Sequence, residues 1–126
     1  MINFGSLNTI LDHIIFKTME KNVQRLAFKM KLNPGFKEEY KKRHAGLWPE
    51  MRKMLKDSGV GNYSIFFDEE TNILFAYQEV TGEGSSQDLG GEEIVQKWWK
   101  YMRDIMEVNP DDSPVSIPLE QVFFME

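Results

Sequence analysis

Tyr40, His44 and Trp48 recur at i, i+4 and i+8 within the segment Tyr40-Lys41-Lys42-Arg43-His44-Ala45-Gly46-Leu47-Trp48-Pro49-Glu50. A helix returns to the same side about every 3.6 residues, so these three side chains share one face. Leu47, Met51, Met54 and Leu55 fall on that face as well, which makes it the face expected to be buried. Unperturbed histidine titrates at about 6.5, so it can both take and give a proton near neutrality. A proton-transfer group is thereby pointed inward among aromatic residues. It is either a satisfied core histidine or the acid/base of a small sheltered site.

Two further aromatic features join it: Tyr63, and the run Trp98-Trp99-Lys100-Tyr101-Met102. Adjacent tryptophans on a helix point roughly 100° apart, so one can pack in the core while the other lines a cavity or an interface. Each indole N–H also wants a partner when buried, which makes a purely structural pair costly. Flat aromatic walls with a few converging polar groups suit a small amphipathic ligand such as a sugar. Aromatic faces cover its C–H side, and tyrosine hydroxyls, indole N–H groups and an imidazole address its hydroxyls. Anomer interconversion asks for little more. A proton leaves the anomeric hydroxyl, one reaches the ring oxygen, and the ring recloses on the other carbonyl face, without metal, nucleophile or redox cofactor. The residues by themselves reach only as far as a small polar–apolar ligand and possible acid/base chemistry.

Composition narrows the classes. The chain has 126 residues, 41% hydrophobic and 28% charged, which fits one globular domain with a modest core. A net charge of −5 argues against nucleic-acid binding, which needs a concentrated basic patch. The one basic run, Lys41-Lys42-Arg43, adjoins Glu38 and Glu39 and reads as a solvated helix side. The chain has no cysteine, so disulfides and thiolate metal sites are excluded, and a reducing compartment such as the cytoplasm fits. The two histidines, His13 and His44, have no HxH or HxxxH spacing, so no metal site is expected. Nucleotide-binding glycine motifs and GxSxG are absent.

The elements that must position these residues follow from periodicity. Residues 1–22 form an extension in which Ile10, Leu11, Ile14, Ile15 and Met19 could make one apolar helix face. Asp12, Lys17 and Glu20 interrupt it, and no run approaches the roughly 20 apolar residues of a membrane span. Two readings stand even: a translated segment ahead of Met19, or a helix packing on the domain or on a partner. Residues 23–126 are expected to be a single domain. Gln24 to Leu32 alternates as a half-buried strand with Leu26, Phe28, Met30 and Leu32 on one side. Asn33-Pro34-Gly35 turns the chain into a helix from about Phe36 to Lys56, with a kink or break at Trp48 because Pro49 lacks a backbone donor. Val60–Phe67 and Ile73–Val80 read as a hairpin around Asp68–Asn72. After the polar loop Thr81–Gly91, a second helix is expected from about Glu92 to Met106, and a last strand from Ile117 to Met125. The order β-α-β-β-α-β is the α+β, ferredoxin-like arrangement. Its strands carry large apolar residues on both alternating sets, as at Phe66/Phe67 and Phe123/Phe124, so the sheet face away from the helices needs a second cover. A homodimer is the economical cover; the extension is the alternative.

Taken in order, Tyr40-x-x-Arg43-His44-x-x-x-Trp48-Pro49-Glu50, Gly61-Asn62-Tyr63-Ser64-Ile65, Gln96-Lys97-Trp98-Trp99-Lys100-Tyr101-Met102-x-Asp104-x-Met106 and Asn109-Pro110-Asp111-x-Ser113-Pro114 resemble the L-rhamnose mutarotase family. The resemblance runs from about Val23 to Phe124. It implies a ferredoxin-like fold, a dimeric α/β barrel, and cofactor-free interconversion of the α and β anomers of L-rhamnose by ring opening and closure. It also implies His44 as the proton donor, Tyr40 and Tyr63 as sugar-binding tyrosines, and Trp98 and Trp99 as the paired indoles of the pocket, with no metal. The chain departs from the family at Ala45-Gly46, where Asn-Pro is frequent, and in the loop Thr81–Gly91, which lacks the frequent Arg-Trp. Those differences bear on sugar preference and leave a related 6-deoxy sugar such as L-fucose open. A non-catalytic dimeric sugar-binding module is a second reading, and a haem- or quinol-oxidising barrel a third that rests on fold analogy alone. Asp104, Asp111 and Asp112 are candidates for a sugar-binding carboxylate, with capping or solvation the plainer role.

Overall fold

The computed structural model describes residues 22–126; the extension and His13 lie outside the described residues, apart from Asn22. Alternation makes β1, Gln24–Lys31, with Phe28 and Met30 buried on the inner side and Leu32 just beyond. The expected helix breaks before Pro49 into two. α1 spans Lys37–Ala45 and α2 spans Pro49–Asp57, with Pro49 in the first turn of the second. Trp48 sits between them at φ −59°, ψ 135°, the extended backbone that a following proline imposes. Gly59 then turns the chain at φ +86° into β2, Val60–Asp68. The hairpin turn is held by Asp68, whose carboxylate accepts from the Glu70 N–H at 3.1 Å and the Thr71 hydroxyl at 2.7 Å. β3 follows at Ile73–Val80.

The polar loop after β3 contains one short 3-10 turn, Ser86–Asp88, closed by a reciprocal capping box. The Ser85 hydroxyl accepts from the Gln87 N–H at 3.1 Å, and the Asp88 carboxylate accepts from the Ser85 N–H at 2.7 Å. α3 covers Glu93–Met102, four residues short of the expected end. The shortfall has a tertiary cause. The chain leaves the helix to run beside the end of β1: the Asn33 N–H donates to the Ile105 carbonyl at 2.8 Å and the Glu107 N–H to the Lys31 carbonyl at 2.9 Å. Ile105 and Met106 are buried there all the same. The last strand is also shorter than expected, β4 covering only Ile117–Leu119. Beyond Leu119 the ladder to β1 stops, and Val122, Phe123 and Met125 are exposed.

The four strands form one antiparallel sheet in the order β2-β3-β1-β4. The fold is therefore a small α+β unit. Its core lies on the inner sheet face, where Phe28, Met30, Leu74 and Ala76 meet Met51, Val95, Trp98 and Met102 from the helices. On the outer face Phe66 and Phe75 are cross-strand partners and both exposed, as are Ile117 and Leu119.

Candidate active site

α1, α2, α3 and the inner side of the sheet line a half-open cavity of about 330 Å³. That lies at the lower end of the roughly 300–1,000 Å³ typical of small-molecule pockets. Tyr40 and His44 from α1, Tyr63 from β2, and Trp98 and Trp99 from α3 all line it. The structure thus brings the five sequence-derived candidates together. Both indoles are buried and both line the cavity.

His44 is fixed by its neighbours. Its Nδ1–H donates to the Tyr40 carbonyl at 3.0 Å, one helical turn back. A carbonyl can only accept, so the proton of the neutral ring sits on Nδ1 and Nε2 is left with a free lone pair. The imidazole stacks on the Tyr40 ring at 4.2 Å between centroids and meets Trp98 edge-on at 5.4 Å. Burial holds the His44 pKa below the ordinary histidine value, and the bond to Tyr40 opposes that in part. The resting ring is neutral at pH 7, with Nε2 a base. Burial pushes both tyrosine hydroxyls, Tyr40 and Tyr63, upward, so they remain protonated hydrogen-bonding groups.

Trp48 and Tyr101 buttress the site. Trp48 meets Trp98 edge-on at 5.1 Å and lies 5.4 Å from Tyr101. Behind them Arg43 ties α1 to the end of α3. Its guanidinium donates to Asp104 at 2.7 and 3.1 Å, to the Tyr101 carbonyl at 2.8 Å and to Glu39 at 2.9 Å. The basic run is therefore not uniformly solvated: Lys41 and Lys42 are exposed, but the Arg43 side chain is only 11% exposed. Asp104 is spent on Arg43, Asp112 pairs with Arg103 at 3.2 Å, and Asp111 accepts from Ser113. None of the three lines the cavity. Among the described residues no group of three or more His, Cys, Asp or Glu side chains gathers to hold a metal ion.

Sequence reasoning missed Gln78, Ser86 and Gln87. Ser86 and Gln87 line the cavity, and Gln78, fully buried on β3, holds Ser86 in place. The available signal was a glutamine in register with Leu74, Ala76 and Val80 on the inner face of a strand, where a polar side chain needs a buried partner.

Fold and site together define a small α+β protein with an aromatic pocket lined by a neutral, buried histidine. The family described as rhaM: L-rhamnose mutarotase matches residues 25–125. An L-rhamnose mutarotase of Formosa agariphila is 67% identical over 104 residues, covering 82% of this chain and all of that protein. One from Bacteroides thetaiotaomicron is 64% identical with the same coverage. The crystal structure of an L-rhamnose mutarotase from Formosa agariphila superposes with a TM-score of 0.76 at 65% identity, over 82% of this chain and 99% of that one. The chain belongs to the L-rhamnose mutarotase family and is an isomerase of carbohydrate anomers.

Proposed function

We propose that this chain interconverts the α and β anomers of L-rhamnose by acid/base ring opening, with His44 as its proton-transfer group. The observation that carries this is the His44 ring, locked in one tautomer by the Tyr40 carbonyl and lining an aromatic cavity. In the opening step Nε2 takes the proton of the anomeric hydroxyl as the bond from C1 to the ring oxygen breaks. The ring oxygen gains a proton from solvent water, leaving an open-chain aldehyde, and the hydroxyl it becomes returns that proton to solvent on closure. Rotation about C1–C2 presents the other carbonyl face. In closure the same hydroxyl adds to C1 and loses its proton, and the carbonyl oxygen takes one back from the imidazolium. No proton is gained or lost overall. Tyr40 and Tyr63 bind and polarise sugar hydroxyls, and Trp98 and Trp99 shape the pocket around the apolar side of the ring.

The strand order β2-β3-β1-β4 with every neighbour antiparallel supports a ferredoxin-like domain over 23–126. The exposed Phe66, Phe75, Ile117 and Leu119 on its outer face support a homodimer in which two sheets close a barrel. No helix among the described residues is long and apolar enough to cross a membrane. A cysteine-free chain supports work in the cytoplasm. The test is saturation-transfer NMR on L-rhamnose. The protein should speed exchange between the two anomeric proton signals, and L-fucose run in parallel reports the sugar preference. Binding of L-rhamnose without faster exchange would instead establish a sugar-binding module.

A further inference from the structure

Gln78 and Ser86 form a polar chain beneath the pocket that the proposed chemistry does not use. Gln78 is fully buried at 0% exposure and Ser86 nearly so at 4%, in an otherwise apolar layer. Donor and acceptor counting fixes the Gln78 amide at the head of this chain. The Ser86 backbone N–H can only donate, and it meets the Gln78 amide at 2.8 Å, so that end of the amide is the oxygen, Oε1. The other end must then be Nε2, which donates to Ser86 Oγ at 2.9 Å. Gln87 Nε2 donates to the same Oγ at 3.2 Å. A hydroxyl oxygen has two lone pairs, and these two N–H donors take both. With Gln87 Nε2 facing it, the remaining capacity of Ser86 is its own hydrogen, and the acceptor left within reach is Tyr63 Oη at a long 3.5 Å. Tyr63 then accepts from behind. Its own O–H is left to point elsewhere, and Tyr63 lines the cavity.

We infer that Gln78 and Ser86 are positioning residues that hold the Tyr63 hydroxyl as a hydrogen-bond donor toward a sugar oxygen in the pocket. The inference rests on the mutarotase reading for its ligand. It gives the site a complementary pair: His44 presents an acceptor, Nε2, and Tyr63 presents a donor. Each is set from behind, His44 by a backbone carbonyl and Tyr63 by the buried amide–hydroxyl chain. Anomer exchange needs both roles at once, because one sugar oxygen gives up a proton while another is relieved of developing negative charge.

A double-mutant cycle separates positioning from simple structural support. Ser86→Ala should lower kcat for L-rhamnose anomer exchange by up to about tenfold, the worth of one neutral hydrogen bond, and move KM less. In a Tyr63→Phe background the same substitution should cost nothing further, and Ser86→Thr, which keeps the hydroxyl, should recover the lost rate. An equal loss in both backgrounds, or no loss in the native one, overturns the inference. A second readout needs no activity: the 13Cζ resonance of Tyr63, assigned by its absence in Tyr63→Phe, reports hydrogen bonds to the phenol. It should shift in both Ser86→Ala and Gln78→Met at neutral pH, and an unmoved resonance in either folded variant contradicts the chain. If the wild-type protein fails to speed anomer exchange, the functional reading falls while this resonance still decides the polarity of Tyr63.

Discussion

At the scale of single residues the site turns on where His44 keeps its proton. Burial lowers its pKa and the Tyr40 carbonyl fixes its tautomer, so the base in the proposed mechanism is a neutral Nε2. The rate of anomer exchange should therefore hold level from pH 8 down through about 6.5, the ordinary histidine value, and fall only as pH drops through the lower folded pKa. A pH–rate profile beside an imidazole NMR titration checks that both curves bend together. Stability follows the same sign. The unfolded chain binds a proton at His44 from about pH 6.5 downward and the folded chain only at lower pH. The contribution of the neutral ring is thus present above about 6.5 and lost as pH falls through the folded pKa. Tyr40, His44, Trp98 and Trp99 could be picked from the sequence because helical spacing and aromatic type mark them locally, and Tyr63 by its type within an alternating strand. Gln78 carried a weaker local mark, a polar residue on the inner face of β3, but Ser86 carried none, since its meaning depends on a loop folding back against Gln78 and Tyr63.

At the scale of elements, proline and glycine carry the shape of the pocket. Pro49 splits the expected long helix into α1 and α2, and the sequence shows this plainly because proline acts through its own ring and its missing N–H. Gly59 is as strict. It holds φ +86°, and a Cβ there would lie 2.6 Å from the Thr81 hydroxyl and 2.9 Å from the Gly82 nitrogen. Gly59→Ala is expected to destabilise the protein by about 1–3 kcal/mol, measured by urea denaturation. Gly90 acts on the site instead. A Cβ there would come within 3.0 Å of the Trp99 indole, so Gly90→Ala should displace that wall by a few tenths of an ångström. The expected outcome is a several-fold higher KM for L-rhamnose at nearly unchanged kcat, read by polarimetry. The ends of α3 and β4 were not legible in the same way. Ile105 and Met106 continue the apolar spacing of α3 yet are buried by backbone pairing with the end of β1. The apolar Val122–Met125 reads as a strand by type, but no strand pairs with it among the described residues.

At the scale of the whole molecule, one sheet with helices on a single side has an inner face that builds the site and an outer face that stays apolar. Alternation in the strands shows both faces in the sequence, and the cross-strand pair Phe66–Phe75 places two aromatic rings side by side on the outer one. In the proposed homodimer Phe66→Glu sets a carboxylate into an apolar contact, so sedimentation velocity should show a dimer for the wild type and a shift toward monomer for the variant. Family membership, fold and pocket then converge on a single claim: His44 moves the protons of L-rhamnose anomer exchange. Saturation-transfer NMR on L-rhamnose with the wild-type protein and a folded His44→Ala variant tests it most directly. The variant should lose about 10²- to 10⁴-fold in enzymatic exchange rate, the usual worth of a positioned acid/base. A His44→Ala protein that keeps its fold and exchanges the anomers as fast as wild type would contradict the account.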